Sequence, residues 1–377
     1  TIFLNTILSV SVVNAYETYA KSALVIDELT NTVILSKNES TKIPPASMSK
    51  LMTLYMVFDA LRDKRLNLTD KIKVSKIASK KGGSKMFLNE GQLVSIEDII
   101  RGIIIHSGND ACIAIAEAMS GTEKEFARDM TSKGLQIGLK NSVFTNSTGW
   151  PDDNHYMTAT DLVFLAQLII KEFPQYYPYF AESEYTWNNI SQKNRNPLLE
   201  KGLGADGLKT GHTEEAGYGL VGSALRGNRR ITFLISGLKS NRDRASEGEK
   251  ILSWAFRDFR AKKVVSKNQL IGKIPTWLGV KKSVALTTER DIFVLIPDTR
   301  TSSIQTQLKL NTPIKAPFKA GSIAPAKLIV TYNSLNQEEV VREYNLVTSE
   351  GAEAGNFLTR FKAASIILIN SVKKLIF

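Results

Sequence analysis

Hydrophobic residues follow two different patterns along the chain. Short runs rich in β-branched residues, bounded by turn residues, predict strands. These strands lie at residues 21–27, 32–36, 217–225 and 230–237. Elsewhere before residue 260, apolar residues recur with a helical period. The predicted helices lie at residues 48–61, 96–105, 110–119, 124–134, 160–173 and 244–259. The helix at 48–61 is almost wholly apolar, which predicts burial on most sides.

The pattern changes near residues 261–267, where helical periodicity stops. Short Val/Ile/Thr-rich runs separated by Gly, Pro and Asn then predict a small all-β domain. Its strands lie at residues 283–287, 292–297, 306–310, 326–332 and 340–346. We therefore expect an α/β (α+β) layered domain over 16–262, in which the last hairpin and helix complete the sheet begun by the first hairpin. A β-rich domain follows over 263–354.

Both ends carry apolar segments outside these domains. Residues 2–13 form an apolar run that is short for a bilayer span, and small residues follow at Val13-Asn14-Ala15. This predicts the remnant of a signal peptide over 1–15, with a buried N-terminal strand as the alternative. Residues 356–377 have apolar side chains on one helical face and several cations mostly opposite. We expect a helix over 355–377 that lies on an anionic membrane surface, or docks on the protein.

Composition narrows the function classes. The chain has 49 Lys+Arg against 37 Asp+Glu, a net charge of +12, and 43% hydrophobic residues, which excludes intrinsic disorder. The cations are spread along the chain without a nucleic-acid-binding motif, so the charge indicates affinity for anionic lipid or an acidic polymer. One Cys and three His cannot form a disulfide framework or a structural zinc site of the usual spacing. We expect neither a metal nor a cofactor.

Three short motifs carry the candidate chemistry. They are Ser47-Met48-Ser49-Lys50, Ser107-Gly108-Asn109 and Lys209-Thr210-Gly211. The S-x-x-K and S-x-N patterns also occur elsewhere in the chain, about as often as composition predicts, whereas K-T-G occurs once. Context therefore has to distinguish the first two motifs from chance.

Ser47 lies at the first turn of the buried helix, and Lys50 three residues on shares its face. The lysine amine can thus touch the serine hydroxyl and, when neutral, take its proton. Burial and the ammonium of Lys209 across the cleft would both lower the pKa of Lys50. The helix N-terminus adds backbone N–H groups near a reacting carbonyl. Taken alone, the motif also fits a helix-capping serine followed by a surface lysine.

The other two motifs fall at places where side chains can enter a cleft. Ser107-Gly108-Asn109 lies in a predicted loop between two helices, although a simple helix cap has the same pattern. Lys209-Thr210-Gly211 opens a strand, where Gly211 lets another backbone approach and an exposed edge can pair with an extended peptide. Lys209 and Thr210 can hold a carboxylate. A plain strand entry is the alternative.

Together with residues 194–224, the motifs resemble the low-molecular-mass penicillin-binding proteins, specifically the serine-type D-alanyl-D-alanine carboxypeptidases of peptidase family S11. The resemblance covers essentially the whole mature chain. It implies a β-lactamase/transpeptidase-like domain, a small all-β domain and a C-terminal amphipathic helix. The implied activity is removal of the terminal D-alanine from peptidoglycan stem peptides, in cell-wall biogenesis and cell shape, with β-lactams as inhibitors.

The resemblance also implies roles for individual residues. Ser47 would be the acyl-forming nucleophile, Lys50 its base, and Ser107 the relay of a proton to the departing D-alanine. The substrate-binding residues would be Asn109, Lys209, Thr210, Gly211, His212 and Arg244. Of these, Lys209 and Thr210 would hold the terminal carboxylate with Arg244 as a partner. The backbone N–H groups of Ser47 and His212 would form the oxyanion hole.

Three rival functions share parts of this pattern. A class A β-lactamase should carry an E-x-x-L-N motif, and none lies between Ser107 and Lys209. A D,D-endopeptidase remains open, because cleft shape decides it. A non-catalytic cell-wall binding module is disfavoured because Ser47, Lys50, Ser107 and Lys209 are all present. We therefore expect an exported enzyme at the outer (periplasmic) face of a bacterial cytoplasmic membrane.

Overall fold

The computed structural model describes residues 16–298, 303–333 and 339–358, together with residues 361 and 365. The described chain forms two compact bodies, Tyr16–Arg257 and a second one from Asp258 onward. Each has a hydrophobic core of its own. The division lies a few residues before the predicted boundary after residue 262, because a strand of the second body already begins at Phe259.

The first body combines helices with short and long strands. Its strands are β1 (Ser22–Asp27), β2 (Thr32–Lys37), β3 (Lys71–Lys73), β4 (Leu93–Ser95), β5 (Glu184–Trp187), β6 (Ile190–Lys193), β7 (Ala205–Thr213), β8 (Gly217–Arg226) and β9 (Arg229–Leu238). Its helices are α1 (Lys50–Arg62), α2 (Lys76–Lys80), α3 (Ile96–Ile104), α4 (Asn109–Ser120), α5 (Glu123–Ile137), α6 (Ala159–Glu172) and α7 (Asn241–Arg257). Two 3-10 helices lie at Ala46–Ser49 and Tyr177–Ala181.

A five-stranded antiparallel sheet in the order β2-β1-β9-β8-β7 forms the centre of this body. Strand β1 pairs with β9, with Leu24 opposite Leu234, so the last hairpin completes the sheet begun by the first, as predicted. Helices α6 and α7 both pack against β9, and consecutive residues along β9 are buried. Strands β1, β8 and β9 are each buried over consecutive residues, so the central part of the sheet is covered on both faces.

Helix α1 is buried almost all round, as its sequence predicts. Every residue from Lys50 to Leu61 except Met56 is buried. The rings of Tyr55 and Phe58 both pack against Phe173 at the end of α6, with centroids 5.1 and 5.6 Å apart. The packing fixes the start of α1 rigidly within the core, and that start carries the first of the three motifs.

Between residues 258 and 356, the described part of the second body contains strands and loops without a helix. Its strands are β10 (Phe259–Val265), β11 (Gly272–Trp277), β12 (Ser283–Thr287), β13 (Ile292–Pro297), β14 (Ile304–Leu310), β15 (Ile314–Lys315), β16 (Ile323–Asn333) and β17 (Glu339–Thr348). A six-stranded sheet has the order β14-β16-β17-β12-β11-β15, and β10 pairs with β13. The predicted helix at 244–259 is too long: Phe259 pairs with Pro297 in a strand, and α7 ends at Arg257.

The two predictions for the chain ends fall mainly on residues outside the described part of the structure. The predicted signal peptide at 1–15 lies outside the described residues, as does most of the predicted helix at 355–377. Within the described part of the latter, Phe357, Leu358 and Phe361 are strongly exposed. In the part of the chain that the structure describes, no helix has the length and apolar character needed to cross a bilayer.

Candidate active site

A tight turn holds Ser47 at the start of α1. Pro45 precedes the 3-10 helix Ala46–Ser49, and Ala46 has a positive φ of 49°. Gly149 allows another loop to pack on this turn, because a Cβ there would lie 1.9 Å from the Ala46 carbonyl oxygen. A residue other than glycine is strained in the left-handed backbone conformation, and it keeps that conformation only where the surrounding structure holds it. The result is a half-buried serine whose hydroxyl is held in one place.

The Lys50 amine is fully buried beside this hydroxyl. Its Nζ lies 2.7 Å from Ser47 Oγ, 2.8 Å from Asn109 Oδ1 and 2.6 Å from the Thr148 carbonyl oxygen. All three partners are neutral oxygens. Burial lowers the pKa of Lys50 to about 8, and the nearby charge of Arg195 acts in the same direction. A lysine with this pKa is neutral often enough near neutral pH to accept the serine proton.

The second and third motifs meet each other across the same site. Lys209 Nζ donates a hydrogen bond of 3.0 Å to Ser107 Oγ, and a weaker one of 3.3 Å to its neighbour's carbonyl, Thr210 O. Burial, and then the proximity of Lys50 and Arg195, hold the pKa of Lys209 well below its usual value. Ser107 is buried and has a φ of 56° in the left-handed region, so its hydroxyl is also rigidly placed.

Strand β7 approaches the Ser47 turn through a glycine. A Cβ on Gly211 would lie 2.9 Å from Pro45 O and 3.2 Å from Ala46 Cβ, so a larger residue would push the strand away. Strand β7 is the last strand of its sheet, and within the described residues no further strand pairs with its outer edge, to which an extended peptide could add. The exposed ring of His212 stacks on Tyr218, with centroids 3.9 Å apart. The predicted close approach at Gly211 is therefore confirmed.

Arg244 lies on α7 behind this strand. Its guanidinium is buried, with Nη1 3.4 Å from the Gly211 carbonyl oxygen and Nη2 2.7 Å from Asn241 Oδ1. Burial lowers the pKa of Arg244 to about 10. Lys209 thus has three basic side chains near it: Lys50, Arg195 and Arg244. Such a cluster favours an anionic ligand, whose charge would offset the burial of the cations.

Comparison with known proteins gives two family matches. Residues 9–239 match a family model, peptidase S11, described as D-alanyl-D-alanine carboxypeptidase. Residues 259–353 match the model of the C-terminal domain of penicillin-binding protein 5. The chain belongs to the peptidase S11 family. The second match begins next to the division between the two bodies, which lies between Arg257 and Asp258.

Similar members of the S11 family match over nearly the whole chain. The D-alanyl-D-alanine carboxypeptidase DacD of Escherichia coli is 33% identical over 356 residues, which cover 91% of this chain and 89% of that protein. The carboxypeptidase DacF of Bacillus subtilis is 32% identical over 353 residues, 91% and 88% of the two chains. Penicillin-binding protein 5 from Haemophilus influenzae has a similar structure, with a TM-score of 0.81, 32% identity, and coverage of 90% of this chain and 98% of that one.

The structure of this S11 chain brings the predicted site residues together in two contact groups, which the Ser107-Gly108-Asn109 motif joins. Ser47, Lys50 and Asn109 form one contact group, and Ser107 and Lys209 form another. Thr210, Gly211 and His212 follow Lys209 along β7, and Arg244 contacts Gly211 from behind.

The electrostatics of the two lysines agree with the expectation. Burial is the largest cause of the lowered pKa of Lys50, and the charge of Lys50 lowers the pKa of Lys209 in addition to burial. Because charge repulsion is mutual, the charge of Lys209 disfavours the Lys50 ammonium as well. The charge of Arg195 lowers the pKa of both lysines. The sequence analysis missed Arg195, because it belongs to none of the three motifs. Its position inside the family-like stretch 194–224 was the one available signal. Thr148 was also missed, since it contributes a backbone carbonyl that no side-chain pattern reveals.

Proposed function

We propose that this S11 chain is a serine D,D-carboxypeptidase that removes the terminal D-alanine from peptidoglycan stem pentapeptides through an acyl-enzyme on Ser47. The observation that carries the proposal is the 2.7 Å contact between Ser47 Oγ and the buried amine of Lys50, beside the outermost strand of the sheet. The similar proteins named above are themselves D-alanyl-D-alanine carboxypeptidases.

Acylation begins with Lys50 as the base. Neutral Nζ accepts the hydroxyl proton of Ser47 while Oγ bonds to the carbonyl carbon of the penultimate D-alanine. The substrate lies along β7, with its terminal carboxylate held by Lys209, Thr210 and Arg244. The backbone N–H groups of Ser47 and His212 stabilise the oxyanion of the tetrahedral intermediate.

Release of D-alanine requires a proton on the leaving nitrogen. As the amide C–N bond breaks, its electron pair stays on nitrogen, and Ser107 Oγ donates its proton there. Lys209 Nζ then returns a proton to Ser107 over the 3.0 Å hydrogen bond. The lowered pKa of Lys209 makes it a better donor than an ordinary lysine. Asn109 binds the substrate amide through its side chain.

Hydrolysis of the acyl-enzyme uses the same base. After Lys50 has released its proton to solvent and Lys209 has regained one, water attacks the ester carbonyl and gives a proton to Lys50 Nζ. The ester C–O bond breaks, and Ser47 Oγ takes this proton back. A β-lactam reacts in the same way in the first step, because the same hydroxyl attacks its ring amide. The ring opens, and the acyl group that results remains attached to Ser47. Trimmed stem peptides lack the terminal D-Ala-D-Ala bond that crosslinking consumes, which connects the activity to the cell wall and cell shape.

Intact-protein and peptide mass spectrometry tests this function. We expect a D-Ala-D-Ala pentapeptide to lose one alanine, and penicillin to add one penicilloyl group to Ser47. Rapid turnover of penicillin with an intact pentapeptide would instead indicate a β-lactamase. Cleavage of crosslinked dimers without cleavage of the pentapeptide would indicate an endopeptidase. Inertness toward all three would leave a non-catalytic binding module.

We further propose that the protein is exported and held at the outer face of a bacterial cytoplasmic membrane by residues 356–377. The side chains of Phe357, Leu358 and Phe361 are 79%, 66% and 62% exposed, which leaves their apolar surface without cover in the described structure. The cations Arg360, Lys362, Lys373 and Lys374 are interspersed with further apolar residues at helical spacing. An amphipathic segment of this kind binds anionic bilayers.

Deleting residues 356–377 should release the protein from membranes. Binding to vesicles that contain phosphatidylglycerol, measured by co-sedimentation, should fall by at least about 10-fold, because both the apolar face and the cations are removed. The truncated chain should still be acylated by penicillin, since the site lies within Tyr16–Arg257. Undiminished sedimentation of this acylated, truncated chain with the vesicles would refute the anchor.

A further inference from the structure

An irregular segment, residues 82–88, lies beside the start of α4 and is bonded to it at every second residue. The first two of these bonds involve Asn109. Its Nδ2 donates to the Gly82 carbonyl oxygen at 2.8 Å, and its backbone N–H donates to the Ser84 carbonyl oxygen at 2.7 Å. Because the Asn109 amide nitrogen is held by Gly82, the amide oxygen is directed to Lys50, 2.8 Å away.

The next two bonds involve the carboxylate of Asp110. Its Oδ1 accepts from the backbone N–H of Met86 at 2.9 Å, and its Oδ2 accepts from Leu88 N at 3.0 Å. Oδ1 also accepts from Ala111 N at 3.0 Å in the first turn of α4. Asp110 is fully buried, so these N–H groups and the helix dipole take the place of water around its charge.

Gly108 leaves room for this arrangement. A Cβ at this position would lie 2.9 Å from Asp110 Oδ1 and 3.1 Å from Met86 N. The φ of Gly108 is −60°, which any residue adopts, so the close approach rather than the backbone conformation requires glycine here. The glycine between Ser107 and Asn109 therefore serves the contact between Asp110 and residues 82–88.

Side chains from the opposite side hold the intervening residues of the segment. Gln192 Nε2 donates to the Lys85 carbonyl oxygen at 3.0 Å, and Asn188 Nδ2 donates to the Phe87 carbonyl oxygen at 3.0 Å. The segment is thus fixed between the start of α4 and the β5–β6 hairpin. On the α4 side, the only side-chain charge in these bonds is that of Asp110.

We propose that Asp110 is a positioning residue for acylation: its carboxylate holds residues 82–88 in place, and through Gly82 this segment fixes the Asn109 amide against Lys50. The inference rests on the proposed acylation of Ser47. Asp110 touches neither the nucleophile nor the base, and it acts through the backbone of the segment. Without it, the Asn109 amide loses the partner that sets its orientation.

Asp110→Asn tests the inference with almost no change in shape. One carboxylate oxygen becomes an NH₂ group, which faces a backbone N–H and cannot accept its hydrogen bond. The acylation rate constant with penicillin should be measured by mass spectrometry from pH 6 to pH 10. We expect its high-pH plateau, where Lys50 is neutral, to fall by about 10²-fold, as expected for a misplaced catalytic group.

The pH profile separates positioning from a loss of folded protein. Partial unfolding would lower the whole profile and leave its midpoint unchanged. In the variant, Lys50 loses a nearby negative charge and a fixed acceptor, so its pKa and the midpoint should both fall. The other titratable and charged groups near Lys50 are Arg195, Glu123, Cys112 and Lys209, and the substitution changes none of them.

Two further variants make the test decisive. Asp161→Asn is the matched control, because Asp161 is a buried carboxylate in the first turn of α6 that accepts from Asn141 N at 2.8 Å, away from the three motifs. It should keep the wild-type plateau and midpoint. Gly108→Ala retains the charge of Asp110 but forces its Cβ against that carboxylate, so its plateau should also fall. This variant decides the question if Asp110→Asn does not fold.

The outcomes distinguish this inference from the proposed function. A wild-type chain that penicillin does not acylate would overturn both. If the wild-type chain is acylated and folded Asp110→Asn keeps its plateau within twofold, the positioning role alone is overturned. An unchanged plateau in folded Gly108→Ala would overturn it equally when Asp110→Asn cannot be purified.

Discussion

A Ser47→Ala variant should fold normally and form no covalent adduct with penicillin or with a D-Ala-D-Ala peptide. The substitution removes one oxygen from a half-buried side chain, and Lys50 keeps its contacts with Asn109 and Thr148. Without Oγ there is no atom to form the ester, and water cannot use the same geometry. We expect peptide hydrolysis to fall by more than about 10⁴-fold.

Intact-protein mass spectrometry and thermal unfolding check this result together. Ser120→Ala is a suitable control, since Ser120 lies at the far end of α4, about 16 Å along the helix from Asn109. Its hydroxyl contacts Asp129 at the surface, so labelling should match the wild type. A penicilloyl adduct on the Ser47→Ala chain would contradict the assignment of the nucleophile.

Lys50→Ala should abolish acylation nearly as completely, by about 10³-fold or more. The variant keeps the Ser47 hydroxyl but lacks a group that takes its proton. It also leaves a cavity beside Asn109 Oδ1 and Thr148 O, which lose their shared donor. Circular dichroism should therefore accompany the measured acylation rate. Lys171→Ala is the control, because this exposed lysine lies in the last turn of α6.

The pH dependence of acylation provides a second check on Lys50. Burial lowers the pKa of this lysine to about 8, and only its neutral form can act as the base. In the wild type, the acylation rate should fall about tenfold per pH unit below pH 8 and level off above it. Lys50→Ala should lack this dependence. A fully active Lys50→Ala enzyme, or a wild-type profile that is flat from pH 6 to pH 10, would refute the assignment.

The contact between Ser47 and Lys50 is the part of the site that depends only on residues close together in the sequence. Residues three apart on a helix face each other whatever the rest of the chain does, so the S-x-x-K spacing predicts that the two side chains meet. The structure has them 2.7 Å apart. The apolar run after Ser47 likewise predicts that Lys50 is buried, and burial is the main cause of its lowered pKa.

The contact between Ser107 and Lys209 is of the opposite kind. The two residues are separated by 102 positions in the chain. Nothing in either motif indicates which hydroxyl the lysine will meet, because that depends on how β7 and the loop before α4 pack around α1. The family resemblance predicts that Ser107 and Lys209 belong to one site, whereas their spacing in the sequence does not.

Hydrophobic periodicity likewise predicts only some of the helices and strands. It predicts α1, α6, the β8–β9 hairpin and β12 nearly residue for residue, since each buries a continuous apolar face. It misses the short strands β3 to β6, whose few residues carry no measurable period, and it extends α7 past Arg257 into β10. Phe259 suits a helix as well as a strand, and its pairing with Pro297 is a long-range contact.

The sequence by itself determined the two-domain organisation, the buried helix that carries Ser47 and Lys50, and, through its three motifs, the family. Those features depend on local periodicity and on residues close together in the chain. Only the tertiary structure decided that Arg195 lies among the cations of the site, that Gly82 orients Asn109, and that Asp110 holds residues 82–88. Each of these is a contact between distant segments, made by backbone groups or by side chains outside any motif, and packing alone brings them together.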